Sequence, residues 1–152
     1  MRPEATNPDL TISIVSLNTR ELLAECLRSV WSSSGVTFEV FVVDNGSSDG
    51  TPDMVESEFP SVHLIRNASN RGFAAANNLA LGLARGRHVL LLNPDTVVET
   101  TTLSEMVSFM DRHPEVGISG PQVRFPDGRF QSCGYRFPTL LSEIRQSRNL
   151  ST

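Results

Sequence analysis

An uninterrupted apolar run, Val89-Leu90-Leu91-Leu92, stops abruptly at Asn93-Pro94-Asp95. A run that short and that apolar predicts a strand buried on both faces, as inside a parallel sheet. Pro94 cannot donate to a ladder and ends the strand. Asp95 is thereby delivered to the carboxyl end of a central strand, the edge at which open α/β sheets bind ligands. A carboxylate there can hold a divalent cation, accept from a sugar hydroxyl, or only cap the next helix or close an Asx turn. Two earlier segments end in the same way: residues 38–43, β-branched and aromatic, run into Asp44-Asn45-Gly46-Ser47-Ser48-Asp49-Gly50, and the apolar residues 10–17 end at Asn18. Strands that each finish in Asn or Asp predict a polar crevice along one edge of a sheet.

Helical patterns separate these strands. Leu22, Leu23, Cys26, Leu27, Val30 and Trp31 recur with a helical period behind Thr19 as cap, and Ser32-Ser33-Ser34-Gly35 stops them. Thr51 as N-cap and Pro52 at the first helical position open a second helix, which Pro60 ends. Residues 62–65 read as a short strand. A helix of small residues is predicted over 72–85, with Asn70 as its cap and Gly86 as its stop. Leu103, Met106, Val107 and Met110 stripe a further helix closed by Pro114. Residues 116–120 read as a fifth strand, and 122–125 with 129–132 as a hairpin about Pro126-Asp127-Gly128. The alternation predicts a three-layer α/β fold with a mostly parallel central sheet. Residues 1–9 read as a disordered lead-in, 10–138 as the folded part and 139–152 as a tail.

The chain has 152 residues, enough for one domain with a real core. A net charge of −4 excludes a nucleic-acid binder that relies on a basic surface. No apolar run approaches the roughly 20 residues of a membrane span. No apolar signal region opens the chain, so a cytoplasmic setting is expected. All 13 basic residues are arginine. Without lysine there is no phosphate-binding P-loop, no Schiff-base chemistry and no match to a phospho-acceptor receiver domain. No Gly-x-Gly-x-x-Gly follows the first strand, so a dinucleotide fingerprint is unsupported. Cys26 and Cys133 lie far apart and match no metal spacing; Cys26 reads as inert core and Cys133 as a free thiol in a loop. His63, His88 and His113 share no face and read as structural or surface residues.

The segments Ile14-Val15-Ser16-Leu17-Asn18, Val42-Val43-Asp44-Asn45-Gly46-Ser47-Ser48-Asp49-Gly50, Asn70-Arg71-Gly72-Phe73-Ala74-Ala75-Ala76-Asn77-Asn78 and Leu91-Leu92-Asn93-Pro94-Asp95-Thr96 stand in family-like order and spacing. Together they resemble the inverting family 2 glycosyltransferases of the GT-A fold, nearest the bacterial rhamnosyltransferase-like branch. The resemblance implies a nucleotide-diphospho-sugar transferase of cell-envelope polysaccharide synthesis, using dTDP-rhamnose or a UDP-sugar. It implies a saccharide or lipid-linked acceptor and a setting at the inner face of the membrane. By the same resemblance Ser16, Leu17 and Asn18 shape the base pocket, and Asp44, with Asn45 and Gly46, contacts the base. Arg71 and Asn77 line the donor site, with Arg71 near the pyrophosphate. Asn93, Pro94 and Asp95 stand where the metal motif falls, Asp95 being the ligand to Mg²⁺ or Mn²⁺.

Two departures qualify the match. Asn-Pro-Asp carries one carboxylate, so metal affinity without nucleotide is expected to be weak. Downstream, Glu99, Glu105, Asp111, Glu115, Asp127 and Glu143 lie in no recognisable acceptor-site motif, so the catalytic base is expected outside this chain. The expectation is a donor- and metal-binding half, truncated at its C-terminus and inactive alone, with a sheet edge and an apolar face through which it self-associates. The alternatives are a non-catalytic nucleotide-binding module of the same fold, or a nucleotidyltransferase. The latter usually begins with a Gly-rich loop, where this chain has Ser16-Leu17-Asn18-Thr19-Arg20.

Overall fold

The computed structural model describes residues 7–131. Two compact units divide the chain, one reaching to Ser119 and one starting at Gly120. In the first unit, strands and helices alternate as β1 (Leu10–Ser16), α1 (Arg20–Trp31), β2 (Phe38–Asp44), α2 (Thr51–Glu58), β3 (His63–Arg66), α3 (Phe73–Leu81), β4 (His88–Leu92) and α4 (Thr102–Arg112). The strands form one parallel sheet of order β3-β2-β1-β4.

The period of two along each strand sorts its side chains between layers. Ile12, Ile14, Val40 and Val42 pack on one face with Leu23, Leu27 and Val30 of α1, Met54 and Val55 of α2, and Leu103 and Val107 of α4. Phe41 and Val43 turn to the other face, against Ala76 and Ala80 of α3. Leu23, Leu27 and Val30 are fully buried. Each stabilises the fold by roughly 1.5–3 kcal/mol relative to an exposed side chain. The three-layer α/β expectation therefore holds, with α3 alone on its side among the described helices.

The expectation of a strand buried on both faces fails for β4. It is an edge of the described sheet, and Val89 and Leu91 remain 44% and 48% exposed. Register places Val89 beside Thr11 and Leu91 beside Ser13. On that face α3 lies over β1 and β2, leaving β4 uncovered among the described residues. The open sheet edge and apolar face that the sequence predicts fall here.

No fifth strand forms over residues 116–120, where Ile118 is 93% exposed. Two glycines and the following Pro121 leave that segment little to bury and no ladder partner. The second unit keeps the turn of the expected hairpin, with Gln131 N–H donating to the Val123 carbonyl at 2.9 Å across its arms, but among the described residues the arms form no continuous strands. A single antiparallel bridge joins Arg124 to Phe130, and Gly128 N–H donates to the Phe125 carbonyl at 2.8 Å.

Helix α3 ends at Leu81, not near Arg85. Acceptors from the strands claim the next donors. Glu39 takes the Arg85 N–H at 2.6 Å and the Thr11 hydroxyl takes the Gly86 N–H at 2.8 Å. The lead-in is ordered by its end. The Pro8 carbonyl accepts from Arg87 N–H, and the Asp9 carboxylate binds Thr37 and the Arg87 guanidinium. Arg87 also pairs with Asp111 of α4 at 2.8 Å. Arg87, and then His88, hold the Asp111 carboxyl down at about 2. Cys133, Glu143, the tail and the first six residues lie outside the described residues.

Candidate functional site

The order β3-β2-β1-β4 reverses direction at β1, because the chain places β2 on one side of it and β4 on the other. Such a switch point opens a crevice beyond the carboxyl ends of the strands. Register brings Ser16 beside Asp44 and Ile14 beside Leu92, so the loops that follow β1, β2 and β4 leave the sheet at the same edge.

Asp44 is 2% exposed. Its Oδ2 accepts the N–H groups of Gly46 and Ser47 at 3.1 and 3.0 Å, which shapes the loop. Its Oδ1 is buried and has no hydrogen-bond partner among the described residues. A buried carboxylate oxygen left unpaired costs free energy, and an N–H donor brought by a ligand would recover it.

The loop after β1 is latched to the loop after β2. Asn18 sits at φ 52°, in the left-handed region that Asn tolerates. Its Oδ1 accepts Ser48 N–H at 2.8 Å, and its own N–H donates to Ser47 Oγ at 2.9 Å. Ser16 is buried, with its hydroxyl bonded to that of Thr19 at 2.8 Å. Thr19 stands at the N-cap of α1 as expected but its side chain makes no cap bond, and Gly50, not Thr51, stands at the N-cap of α2; the Asp49 carboxylate serves both helices. Its Oδ2 accepts Arg20 N–H at 3.1 Å and its Oδ1 accepts Thr51 N–H at 3.0 Å. Burial alone would raise the Asp49 carboxyl, but hydrogen bonds from Thr51 and Arg20 outweigh it and lower its pKa. Asp49 is visible in the sequence as the second acid of its motif, but only the fold shows it joining two loops.

Asn45 is buried and staples a third loop to the site. Its Oδ1 accepts from Asn67 Nδ2 at 2.9 Å and its Nδ2 donates to Asn70 Oδ1 at 3.2 Å. Asn70 also accepts Gly72 N–H at 2.8 Å, while Gly72 itself takes the N-cap position of α3. Gly46 has no room for a side chain: φ is 91° and a Cβ would lie 3.1 Å from Ser69 Cα. Leu17 is partly exposed at the mouth. Arg71 is exposed, and its guanidinium makes no ion pair or hydrogen bond among the described residues.

Asn77 is placed otherwise than expected. It is 3% exposed, accepts the Ser13 hydroxyl at 2.8 Å and donates to the Phe73 carbonyl at 3.0 Å. Its amide docks α3 onto β1 and does not face the crevice. The 3.6-residue period turns this position toward the sheet along with Ala76 and Ala80.

Asn93, Pro94, Asp95 and Thr96 form a β-turn, closed by Thr96 N–H to the Asn93 carbonyl at 3.3 Å. Pro94 occupies the second position and Asp95 the third. Asp95 is exposed, and its carboxylate accepts no hydrogen bond among the described residues, so it is neither a helix cap nor an Asx acceptor. Cys26 is fully buried beneath this turn, its Sγ 3.6 Å from the Asn93 carbonyl oxygen. Burial pushes its thiol up to about 12, despite the Thr96 N–H beside it. No group of three His, Cys, Asp or Glu side chains that could hold a metal exists among the described residues. The donor set at Asp95 is one open hard-oxygen ligand. That suits Mg²⁺ or Mn²⁺ completed by water and phosphate oxygens, and does not suit a cation held by protein alone.

A switch-point crevice flanked by acidic strand ends, on a parallel sheet between helices, is the architecture of the GT-A nucleotide-diphospho-sugar transferases. Solved structures of that class overlay this chain. S. aureus TarS, solved as residues 1–349, does so with a TM-score of 0.64 at 26% identity, covering 78% of this chain and 40% of that one. The mannosyltransferase PcManGT of Pyrobaculum calidifontis, solved with GDP-Man and Mn²⁺, gives 0.64 at 29% identity over 70% of this chain and 33% of its own. The model of glycosyl transferase family 2 matches residues 11–149, and the chain belongs to that family. Succinoglycan biosynthesis protein ExoO of Rhizobium meliloti is 34% identical over 85% of this chain and 38% of its own length. The N-acetylglucosaminyl-diphospho-decaprenol L-rhamnosyltransferase of Mycobacterium tuberculosis is 30% identical over 87% of this chain and 47% of its own. The chain thus spans less than half the length of these two relatives. No helix among the described residues is long and apolar enough to cross a membrane.

Proposed function

We propose that this chain binds the nucleotide-diphospho-sugar donor and its divalent cation for an inverting glycosyltransferase of cell-envelope polysaccharide synthesis, at the cytoplasmic face of the membrane. The observation that carries this reading is that Asp44, at the carboxyl end of β2 beside the switch-point crevice, keeps a buried Oδ1 without a hydrogen-bond partner among the described residues. It accepts an N–H from the base, and the latched loops of Asn18 and Asn45 hold it in place. Arg71, whose guanidinium has no partner among the described residues, reaches the diphosphate. Asp95 offers the one carboxylate for Mg²⁺ or Mn²⁺, with Asn93 and Pro94 setting the turn that carries it. When bound, the cation neutralises charge on the diphosphate leaving group. Support comes from relatives and structural neighbours. PcManGT binds GDP-Man with Mn²⁺, TarS binds UDP-GlcNAc, and the Escherichia coli glucosyltransferase WfaP is named for a diphosphoundecaprenol-linked acceptor.

Titration of UDP, dTDP and GDP with and without Mn²⁺ tests the site. Mn²⁺ should tighten binding to the wild type, and Asp95→Ala should abolish that gain while leaving metal-free affinity unchanged. Equal affinities of wild type and Asp95→Ala in Mn²⁺ would remove Asp95 from the site.

Transfer needs a base within reach of the acceptor hydroxyl, worth roughly 10²–10⁴ in rate. Among the described downstream carboxylates, Asp111 is tied to Arg87 and His88, Asp127 to Arg129, and Glu115 to His113; Glu99 and Glu105 are exposed and, like the others, lie in no recognisable acceptor-site motif. The chain alone is therefore expected to bind donor without enzymatic transfer to lipid-linked or saccharide acceptors. Transfer equal to that of a longer polypeptide containing it would refute this. No turnover by either would favour a non-catalytic binding module.

The open face of β4 predicts reversible self-association, read by sedimentation across a concentration series. Leu91→Thr should shift the equilibrium toward monomer. A wild type that stays monomeric throughout would exclude it.

A further inference from the structure

We propose that Cys26 and Ser29 of α1 are positioning residues for the 93–98 loop that carries Asp95. Through it they set how tightly the chain binds a divalent cation together with a nucleoside diphosphate. The proposal rests on the reading of Asp95 as the metal ligand.

Positions 26 and 29 are three apart and share a face of the helix. From that face each takes hold of a different end of the loop. The Cys26 S–H donates to the Asn93 carbonyl, at 3.6 Å. That carbonyl also accepts Thr96 N–H, so its two lone pairs join the turn to itself and to α1. Ser29 Oγ donates to the Cys26 carbonyl at 2.7 Å and accepts Val98 N–H at 3.0 Å. Val98 is itself buried in the core beside α1 and α4. Asp95 lies between these two anchors, and its carboxylate has no hold of its own among the described residues.

A core that only needed filling would place an apolar side chain at 26 and a small one at 29. Here both side chains direct polar atoms at one backbone segment, the segment with the open carboxylate. With a single protein ligand, the cation depends on where that carboxylate stands relative to the diphosphate. Loosening groups that orient a metal ligand commonly costs about tenfold or more in metal affinity.

The test uses the whole chain and isothermal titration of UDP and dTDP, each with and without Mn²⁺. The double variant Cys26→Val/Ser29→Ala fills the space at 26 but removes both polar contacts. It should lose about tenfold of the Mn²⁺-dependent gain in affinity, with metal-free binding unchanged. Cys26→Ser with Ser29→Thr, which keeps a hydrogen-bond donor at each position, should restore the gain. An undiminished Mn²⁺ gain in the double variant overturns the proposal. So does an equal loss with and without metal, because that reports general loosening. Asp95→Ala is titrated alongside. If it keeps the full Mn²⁺ gain, the metal assignment itself is wrong and the proposal falls with it. If Asp95→Ala loses the gain and the double variant keeps it, only the positioning role is refuted. Should the double variant not fold, Ser29→Ala alone decides by the same selective loss or its absence.

Discussion

Asp44→Asn should weaken metal-free binding of UDP or dTDP by roughly 10- to 100-fold while leaving the fold intact. The two carboxylate oxygens have different tasks. Oδ2 takes the Gly46 and Ser47 N–H groups, and an Asn carbonyl oxygen in its place keeps both bonds. The amide nitrogen must then stand where Oδ1 stood, buried and unpartnered. It presents N–H toward the crevice, so a base N–H meets a donor instead of an acceptor. The lost bond to a charged acceptor is worth about 1.5–3 kcal/mol, hence the expected factor. A neutral amide relieves the burial of charge, so the melting temperature should hold or rise. Calorimetric titration without metal separates this effect from that of Asp95. An unchanged dissociation constant for Asp44→Asn would show that Oδ1 does not read the base.

Gly86→Ala should destabilise the chain by about 3–5 kcal/mol, a large part of the roughly 5–15 kcal/mol that holds such a domain folded. The cause is close approach, since Gly86 does not adopt a positive φ. A Cβ there would stand 2.3 Å from Thr11 N and 2.7 Å from Leu10 C, both backbone atoms of β1 that cannot swing aside. Separating the two segments would also break a chain of polar contacts. Gly86 N–H donates to Thr11 Oγ1 at 2.8 Å, Thr11 donates to Glu39 at 2.7 Å, and Arg85 closes on the same carboxylate at 2.6 and 3.2 Å. The Glu39 side chain is only 8% exposed. Burial would raise its pKa, yet these hydrogen bonds lower it. Losing them would leave a buried charge without partners. The readout is the urea midpoint at constant m-value. Gly82→Ala is the control: its Cβ would meet only ordinary contacts at 3.5 and 3.6 Å, so its midpoint should barely move. Equal midpoints for the two variants would refute the argument. Gly86 lies before β4, at the end of the sheet opposite the crevice, so nucleotide affinity of the folded Gly86→Ala fraction should be unchanged.

Strand ends were legible because the signals are local. β-Branched runs, a proline that cannot pair and an Asn or Asp directly after the run need no knowledge of neighbours. That is why residues 10–16, 38–44 and 88–92 and the acids that follow them stand where the pattern put them. Asn77 was not legible in the same way. Its motif suggested the ligand, while its helical phase turned it into the sheet; a period says which side of an element a residue takes, but not what lies there. The end of α3 was missed because Glu39 and Thr11, far away in sequence, capture the Arg85 and Gly86 N–H groups. The fifth strand was expected over 116–120 and does not form, because an extended segment becomes a strand only where a partner edge accepts its hydrogen bonds.

By itself, then, the amino-acid order determined the alternation of strands and helices, the acids at their junctions, and the exclusion of P-loop and dinucleotide chemistry by the lack of lysine and of a glycine fingerprint. These follow from backbone sterics and side-chain chemistry acting over a few residues. Tertiary structure alone decided the rest. Strand order put the switch point at β1 and an edge at β4, beyond which no described strand pairs, and the described helices leave one face of β4 bare. Packing left one oxygen of Asp44 without a partner among the described residues, gave Asp49 two helices to cap, and set the Cys26 thiol under the Asn93 carbonyl. Each of these depends on groups far apart in the chain, which only the packed sheet and helices bring within hydrogen-bond reach.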